Sequence, residues 1–208
     1  MKRNAVGCIA LGALCTVGAG GAVQVTAPPL TRTASARADL DARILAWIVE
    51  RNPAATIEEF LAFPAVLLDE SARAGIDYRL ILAMADKESG MNARAVGPGG
   101  EVGLLQLLPS TASRVAKWLD DRSFESPAAI TDEDGGTRYT LLGSLADPKV
   151  NVRYGIAYLK WQIRQFGMTP AALRAYNRHP ARAREAWPAD RYAEDVALRY
   201  FTLVQRFE

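Results

Sequence analysis

The sequence predicts a mainly α domain with a small irregular or short-hairpin lobe. Apolar residues recur at helical spacing along most of the chain, helix start and stop signals punctuate it, and strand-like alternation is scarce. Half of the 208 residues are apolar (50%), which suits one domain with a sizeable core.

Leu40, Ile44, Leu45, Trp47 and Ile48 place the first helix over 39–51. Thr56-Ile57-Glu58-Glu59 has the form of a capping box, so a second helix opens there, with Pro64 breaking or kinking it. The apolar pattern continues through Val66, Leu67, Leu68 and Ala72 until Gly75 closes it. Asp77 then caps a helix over 78–88 whose body, Leu80 to Ala85, is apolar all round and therefore buried. Pro109-Ser110-Thr111 starts another, running to about Leu119 with Val115 and Trp118 inward.

Residues 120–146 break the pattern. Their acidic cluster Asp132-Glu133-Asp134 lacks the spacing of a calcium-binding loop and reads as a solvated turn in the lobe. Asp147-Pro148 pairs an N-cap with an N1 proline and opens a long helix that Gly167 stops, with Val152, Ile156, Tyr158, Leu159 and Ile163 inside. Thr169-Pro170 repeats the start signal for the helix that carries Tyr176 and Asn177. Tyr192, Val196, Tyr200 and Leu203 mark the last helix, after Pro188.

The N-terminus is of a different kind. Lys2 and Arg3 precede an apolar, Gly/Ala-rich stretch from Ala5 to about Val25, the layout of an export signal. Residues 1–27 are read as a signal peptide or an N-terminal anchor, and 28–38 as a flexible lead-in to a domain over 39–208. Small-residue cleavage sites lie at Gly20-Gly21-Ala22, Val25-Thr26-Ala27 and Ala34-Ser35-Ala36; left uncut, the stretch is just long enough to span a bilayer. Either way the protein is expected to be exported and periplasmic. Both cysteines, Cys8 and Cys15, lie in this segment, which leaves the domain no disulfide, thiol catalyst or cysteine-based metal site.

Beyond residue 27 the chain carries 23 basic and 23 acidic residues, a balance that gives nucleic-acid binding no support. His179 is the only histidine, so a histidine-based triad or multi-histidine metal site is excluded. What remains is carboxylate chemistry. Glu88 ends a buried helix at Glu88-Ser89-Gly90, and a short glycine-rich loop leads back to Gly103-Leu104-Leu105-Gln106. A half-buried carboxyl facing a polar amide is suited to protonating a leaving oxygen. Asp86, two residues away, points from a different helix face and is a poor second catalyst.

These residues also carry a resemblance. The run Glu88-Ser89-Gly90-Met91-Asn92, then Ala95-Val96 and Gly103 to Ala112, is similar to the catalytic domain of soluble lytic transglycosylases. So are Asp147-Pro148, Asn151, Gly155, Tyr158-Leu159 and Ala175-Tyr176-Asn177, and the match extends over about 70–205. The resemblance implies a lysozyme-like fold, related to goose-type lysozymes, and cleavage of the MurNAc-GlcNAc β-1,4 bond of peptidoglycan glycan strands. In the family a single glutamate, here Glu88, acts as acid and then as base on the sugar's own 6-hydroxyl, leaving a 1,6-anhydro-MurNAc end. No cofactor or metal is implied.

The resemblance assigns substrate-side roles to Ser89, Gln106, Tyr176, Asn177 and Tyr192. Tyr176 is expected to hydrogen-bond and hold Glu88, Asn177 to contact that carboxyl or the glycan, and Gln106 to offer its amide to an acetamido sugar. The plainer readings are a helix-terminal hydroxyl for Ser89 and core packing for Tyr176 and Tyr192. Arg178-His179-Pro180 departs from the small turn usual after Tyr-Asn in the family.

Two further readings stand beside the transglycosylase. One is a lysozyme-like hydrolase whose second carboxylate comes from Asp132, Glu133 or Asp134. The other is a non-catalytic glycan-binding or assembly module of a secretion or conjugation system. A monomer is expected, serving either such machinery or general wall remodelling.

Overall fold

The computed structural model describes residues 34–131, 137–167, 169–177 and 191–208. The expectations placed on the N-terminal segment, on Asp132-Glu133-Asp134 and on Arg178-His179-Pro180 lie outside these residues. Two units are distinguished, 1–38 and 39–208; only the opening of α1 is described in the first, and the second holds the core. Among the described residues, no helix is long and apolar enough to cross a membrane.

The element order is α1 (Ala34–Arg51), α2 (Ile57–Phe60), α3 (Phe63–Ala74), α4 (Tyr78–Ser89), α5 (Pro109–Trp118), β1 (Ala128–Thr131), β2 (Thr137–Leu141), a 3-10 turn (Gly143–Ala146), α6 (Pro148–Phe166), α7 (Thr169–Asn177) and α8 (Arg191–Arg206). The predicted caps form. Thr56 Oγ1 accepts from the Glu59 N–H, Asp77 from Arg79 and Asp147 from Lys149, each satisfying a backbone donor that a helix start leaves unpaired. Pro64 is the exception to expectation. It neither breaks nor kinks the α2 helix but sits in the first turn of α3, where a missing N–H is harmless.

Helix α4 is the centre of the molecule. Ile81 to Ala85 are five consecutive buried residues, which requires partners on every side. The α8 helix supplies the most extensive of these contacts, while α3 packs on α6 and α6 on α7. The C-terminus closes over α1 and α4: Phe207 meets Trp47 and Tyr78 edge-on, at ring-centroid distances of 6.5 and 6.1 Å.

One correction concerns Trp118. It was expected inward, but it ends α5 with 45% of its surface exposed and rests one face against Trp161, 5.7 Å between centroids. The last residue of a helix reaches past the core, so a large ring there finds cover on one side only. The anticipated lobe is an antiparallel hairpin of β1 and β2 with an irregularity between Ala128 and Ala129. Tyr139 ties it to the glycine-rich loop by donating its hydroxyl to Gly100 O at 2.6 Å.

That loop, residues 91–107, is also held by a side chain of α6. Asn151, fully buried on α6, accepts from the Leu105 N–H at 2.8 Å and donates to Val102 O at 3.0 Å and Leu145 O at 2.9 Å. Close approach makes this possible. A Cβ on Gly103 would lie 2.1 Å from Asn151 Nδ2, and one on Gly155 would lie 2.2 Å from Leu105 Cδ1. The glycines thus let loop and helix meet at backbone distance. Replacing Asn151 with Ala strands three buried backbone groups, and the expected loss of stability is about 3 kcal/mol, measurable as a lower urea midpoint with an unchanged slope.

Candidate active site

The site is built where α4 ends. Gly90 takes the left-handed conformation (φ 60°); its N–H donates to Asp86 O at 3.1 Å and that of Met91 to Ala85 O at 3.5 Å, so the chain leaves the helix immediately after Glu88 and Ser89. The next residue, Met91, is also left-handed at φ 64°, and fully buried. A non-glycine residue in that region is strained and is held there by its surroundings. Gln106 shows the same feature at φ 44°, across the loop.

Three consecutive residues of the last α4 turn meet one stripe of α8. Asp86 accepts from Arg199 Nε at 3.0 Å, Lys87 pairs with Asp195 at 2.6 Å, and Glu88 Oε1 accepts from the Tyr192 hydroxyl at 2.5 Å. Glu88 is the chemically distinctive member. Burial, the largest effect, raises its pKa from an ordinary value of 4.5 to about 7. The charge of Glu101 pushes the same way, while hydrogen bonds from Tyr192 and Asn177 and the charge of Lys87 favour the ionised form. The carboxyl is therefore balanced between proton donor and proton acceptor near neutral pH, the condition for general acid–base work. Burial, and after it the charge of Glu88, push the Tyr192 and Tyr176 hydroxyls upward too, well above the usual tyrosine range, so both remain proton donors.

Of the sequence-predicted residues, Tyr192, Asn177 and Tyr176 gather around this carboxyl, with one exchange of roles. Tyr176 does not hold Glu88 by a hydrogen bond. Its single hydroxyl proton goes to Leu105 O at 3.0 Å, bracing the loop, and Tyr192 supplies the bond to Glu88 instead. Physically, Tyr176 packs at a tilt against Tyr158, 5.2 Å between ring centroids, with its hydroxyl on the loop backbone. Asn177 lies within hydrogen-bonding reach of Glu88 and is itself exposed.

Ser89 donates to Ala85 O at 3.1 Å, the ordinary bond of a hydroxyl in a helix, and so approaches a ligand only as an acceptor. Gln106 is committed in the same sense. Its Nε2 donates to Ala95 O at 3.2 Å and Gly103 O at 2.9 Å, fixing the amide's orientation and leaving Oε1 as its free end.

Sequence reasoning missed Glu101, the carboxylate whose charge reaches Glu88. Its Oε2 accepts from the Gly99 N–H at 2.9 Å, which pins it over the glycine-rich turn. A signal was present: Glu101 is the only charged residue between Ala95 and Ser113. Among the described residues, no group of three or more His, Cys, Asp or Glu side chains could hold a metal ion.

Comparison with known proteins places the domain in a family. The model of the transglycosylase SLT domain matches residues 66–195, well over half of the chain. The chain belongs to this family. The soluble lytic murein transglycosylase of Escherichia coli (strain K12) is 32% identical over 104 residues, 50% of this chain but only 14% of that protein. Its counterpart in Salmonella typhimurium is 31% identical over a stretch of the same length. The SLT domain here thus corresponds to a small part of those curated relatives. Among solved structures, the 70-kDa soluble lytic transglycosylase in complex with bulgecin A superposes with a TM-score of 0.56 at 21% identity, over 84% of this chain and 31% of that one. The inactive glutamate-to-glutamine mutant of the lytic transglycosylase Slt from Pseudomonas aeruginosa gives 0.53 at 22% identity, over 82% and 30%. These likenesses establish the fold of the SLT domain: mainly helical and lysozyme-like, with a short two-stranded hairpin.

Two outcomes follow from the electrostatics of Glu88. Because its folded-state pKa lies above its unfolded value, the contribution of Glu88 to stability is lost as pH rises from about 4.5 to about 7 and is not regained above. Glu88→Gln removes the charge that burial disfavours, so this variant is expected to be more stable than wild type at pH 8 by on the order of 2 kcal/mol, the difference closing as pH falls below the unfolded value of 4.5. Urea unfolding across pH measures it. Glu101→Gln is expected to lower the midpoint of the wild-type decline, since Glu101 is one of the charges that raise Glu88.

Proposed function

We propose that the chain is a peptidoglycan lytic transglycosylase in which Glu88 alone serves as acid and base. The observation that carries this reading is a buried carboxyl, raised to about pKa 7 and hydrogen-bonded by Tyr192, at the mouth of a loop braced for close approach. Membership of the SLT domain family supports it, and so does the inactivity of a glutamate-to-glutamine mutant in a protein of the same fold.

In the first step the protonated Glu88 gives its proton to the oxygen joining MurNAc C1 to GlcNAc C4. That C1–O bond breaks, and GlcNAc leaves with a free 4-hydroxyl. The developing positive charge on the MurNAc ring stands beside a carboxylate that has just become negative, with Glu101 adding further negative charge at longer range. In the second step Glu88 takes the proton of the same MurNAc's 6-hydroxyl as O6 closes on C1. The anhydro ring forms, Glu88 is protonated again, and no water is consumed. Gln106 Oε1 and the exposed Asn177 amide are the polar groups offered to the sugar. The substrate lies in the cell wall, so the reading requires export, in keeping with the basic-then-apolar N-terminus.

Hydrolysis is the second reading, and Glu101 is the observation that favours it: it is the further carboxylate near Glu88 that could direct a water. Product chemistry separates the two. Purified peptidoglycan digested by the full chain is expected to yield anhydro-MurNAc ends by mass spectrometry, and Glu88→Gln is expected to lower the rate by at least about a thousandfold. Reducing ends, heavier by one water, would assign the chemistry to hydrolysis. Cleavage that survives Glu88→Gln would remove Glu88 from the mechanism.

A further inference from the structure

We propose that Asp86 and Arg199 are positioning residues of the site, their ion pair setting the register of α8 so that Tyr192 meets Glu88. The stripe Tyr192, Asp195 and Arg199 lies along one face of α8, at spacings that bring residues into line on a helix. It meets Glu88, Lys87 and Asp86, three successive residues of α4. A helix turns by about 100° and rises about 1.5 Å per residue, so slippage of α8 by one residue would carry the Tyr192 ring off the carboxyl. A hydrogen bond of 2.5 Å tolerates little of that movement.

The three contacts differ in what they can hold. The Lys87–Asp195 pair is 32% and 39% exposed and is worth little as a restraint. Asp86 is only 7% exposed and is gripped from two sides, by Arg199 of α8 at 3.0 Å and by Arg51 of α1 at 2.7 Å. Arg199 is fixed in turn by donating Nη1 to Asp195 O at 3.1 Å, within its own helix. Asp86 is therefore the point at which α1, α4 and α8 are locked together, one residue pair away from the chemistry. A charged pair with a buried end sets geometry more than it adds stability.

The proposal rests on Glu88 as the acid of the proposed reaction, and its test includes a readout that needs no activity. The groups facing Glu88 are Tyr192 on α8, Asn177 and Tyr176 on α7, Lys87 beside it, and Glu101 on the loop; of these, Tyr192 and Asn177 favour its ionised form by hydrogen bonding. Loss of the Tyr192 bond therefore moves the Glu88 midpoint upward.

The experiment compares full-length wild type, Arg199→Met, Tyr192→Phe and the double variant. Arg199→Met keeps the aliphatic stem and leaves Asp86 its Arg51 partner, so the fold is retained. The pH midpoint of the Glu88-linked change in urea stability is expected to rise in Arg199→Met as it does in Tyr192→Phe, with no further rise in the double variant. The falling limb of kcat/KM is expected to move the same way, with kcat reduced about tenfold. Arg199→Lys is expected to give a smaller shift and serves in place of the Met variant if that one does not fold. An Arg199 variant whose midpoint stays at the wild-type value, or whose shift adds to that of Tyr192→Phe, overturns the proposal. A wild-type protein that cleaves no glycan would instead overturn the proposed function, while the stability midpoints would still decide this one.

Discussion

Burying a carboxyl is unfavourable unless the structure around it supplies partners, and the architecture of this domain is arranged around one such group. Glu88 lies at the end of a helix whose body is sealed in the core, and its environment withdraws solvent while returning hydrogen bonds from Tyr192 and Asn177. The opposing effects leave it titrating near 7. More burial without the bonds would lock the proton on, and more bonds without burial would leave a permanently ionised acid. The catalytic proposal depends on that balance, and the balance depends on where α7 and α8 stand relative to α4.

Two devices hold the surroundings of the carboxyl, one acting on the loop and one on the helices. In the first, the Asn151 amide satisfies three backbone groups of the loop and its neighbour, and Tyr176 adds a fourth bond to Leu105 O. The loop is thereby rigid enough to hold Gln106 in a strained left-handed conformation, with its amide turned one way. In the second, Asp86 joins α1, α4 and α8 through two arginines. Asn151 and Asp86 therefore serve to place backbone and helices.

The fold was legible because its signals are local. Caps, N1 prolines and C-terminal glycines mark helix ends through contacts of three or four residues, and Asp77, Asp147, Gly75 and Gly167 all act as read. Pro64 was misread because a proline in a first turn and a proline that breaks a helix look alike until the preceding helix is known to end at Phe60. Glu88 was legible from its motif. Its partner was not, because which of two tyrosines reaches it depends on helix packing across 104 residues of sequence separation. Glu101 was overlooked for a related reason: a glycine-rich turn gives no periodicity from which to infer where a side chain points, and only folding brings its charge within range of Glu88.

The central claim is that Glu88 is a neutral acid at the threshold of ionisation under neutral conditions. It is tested most directly by following the Glu88 side-chain carboxyl carbon by NMR across pH, in protein labelled with 13C-glutamate and assigned by the resonance lost in Glu88→Gln. The account predicts a single titration centred at about 7, clearly separate from those of the solvent-exposed glutamates. A midpoint close to the ordinary value of 4.5 would contradict it, because the carboxyl would then hold no proton to deliver to a leaving oxygen at neutral pH.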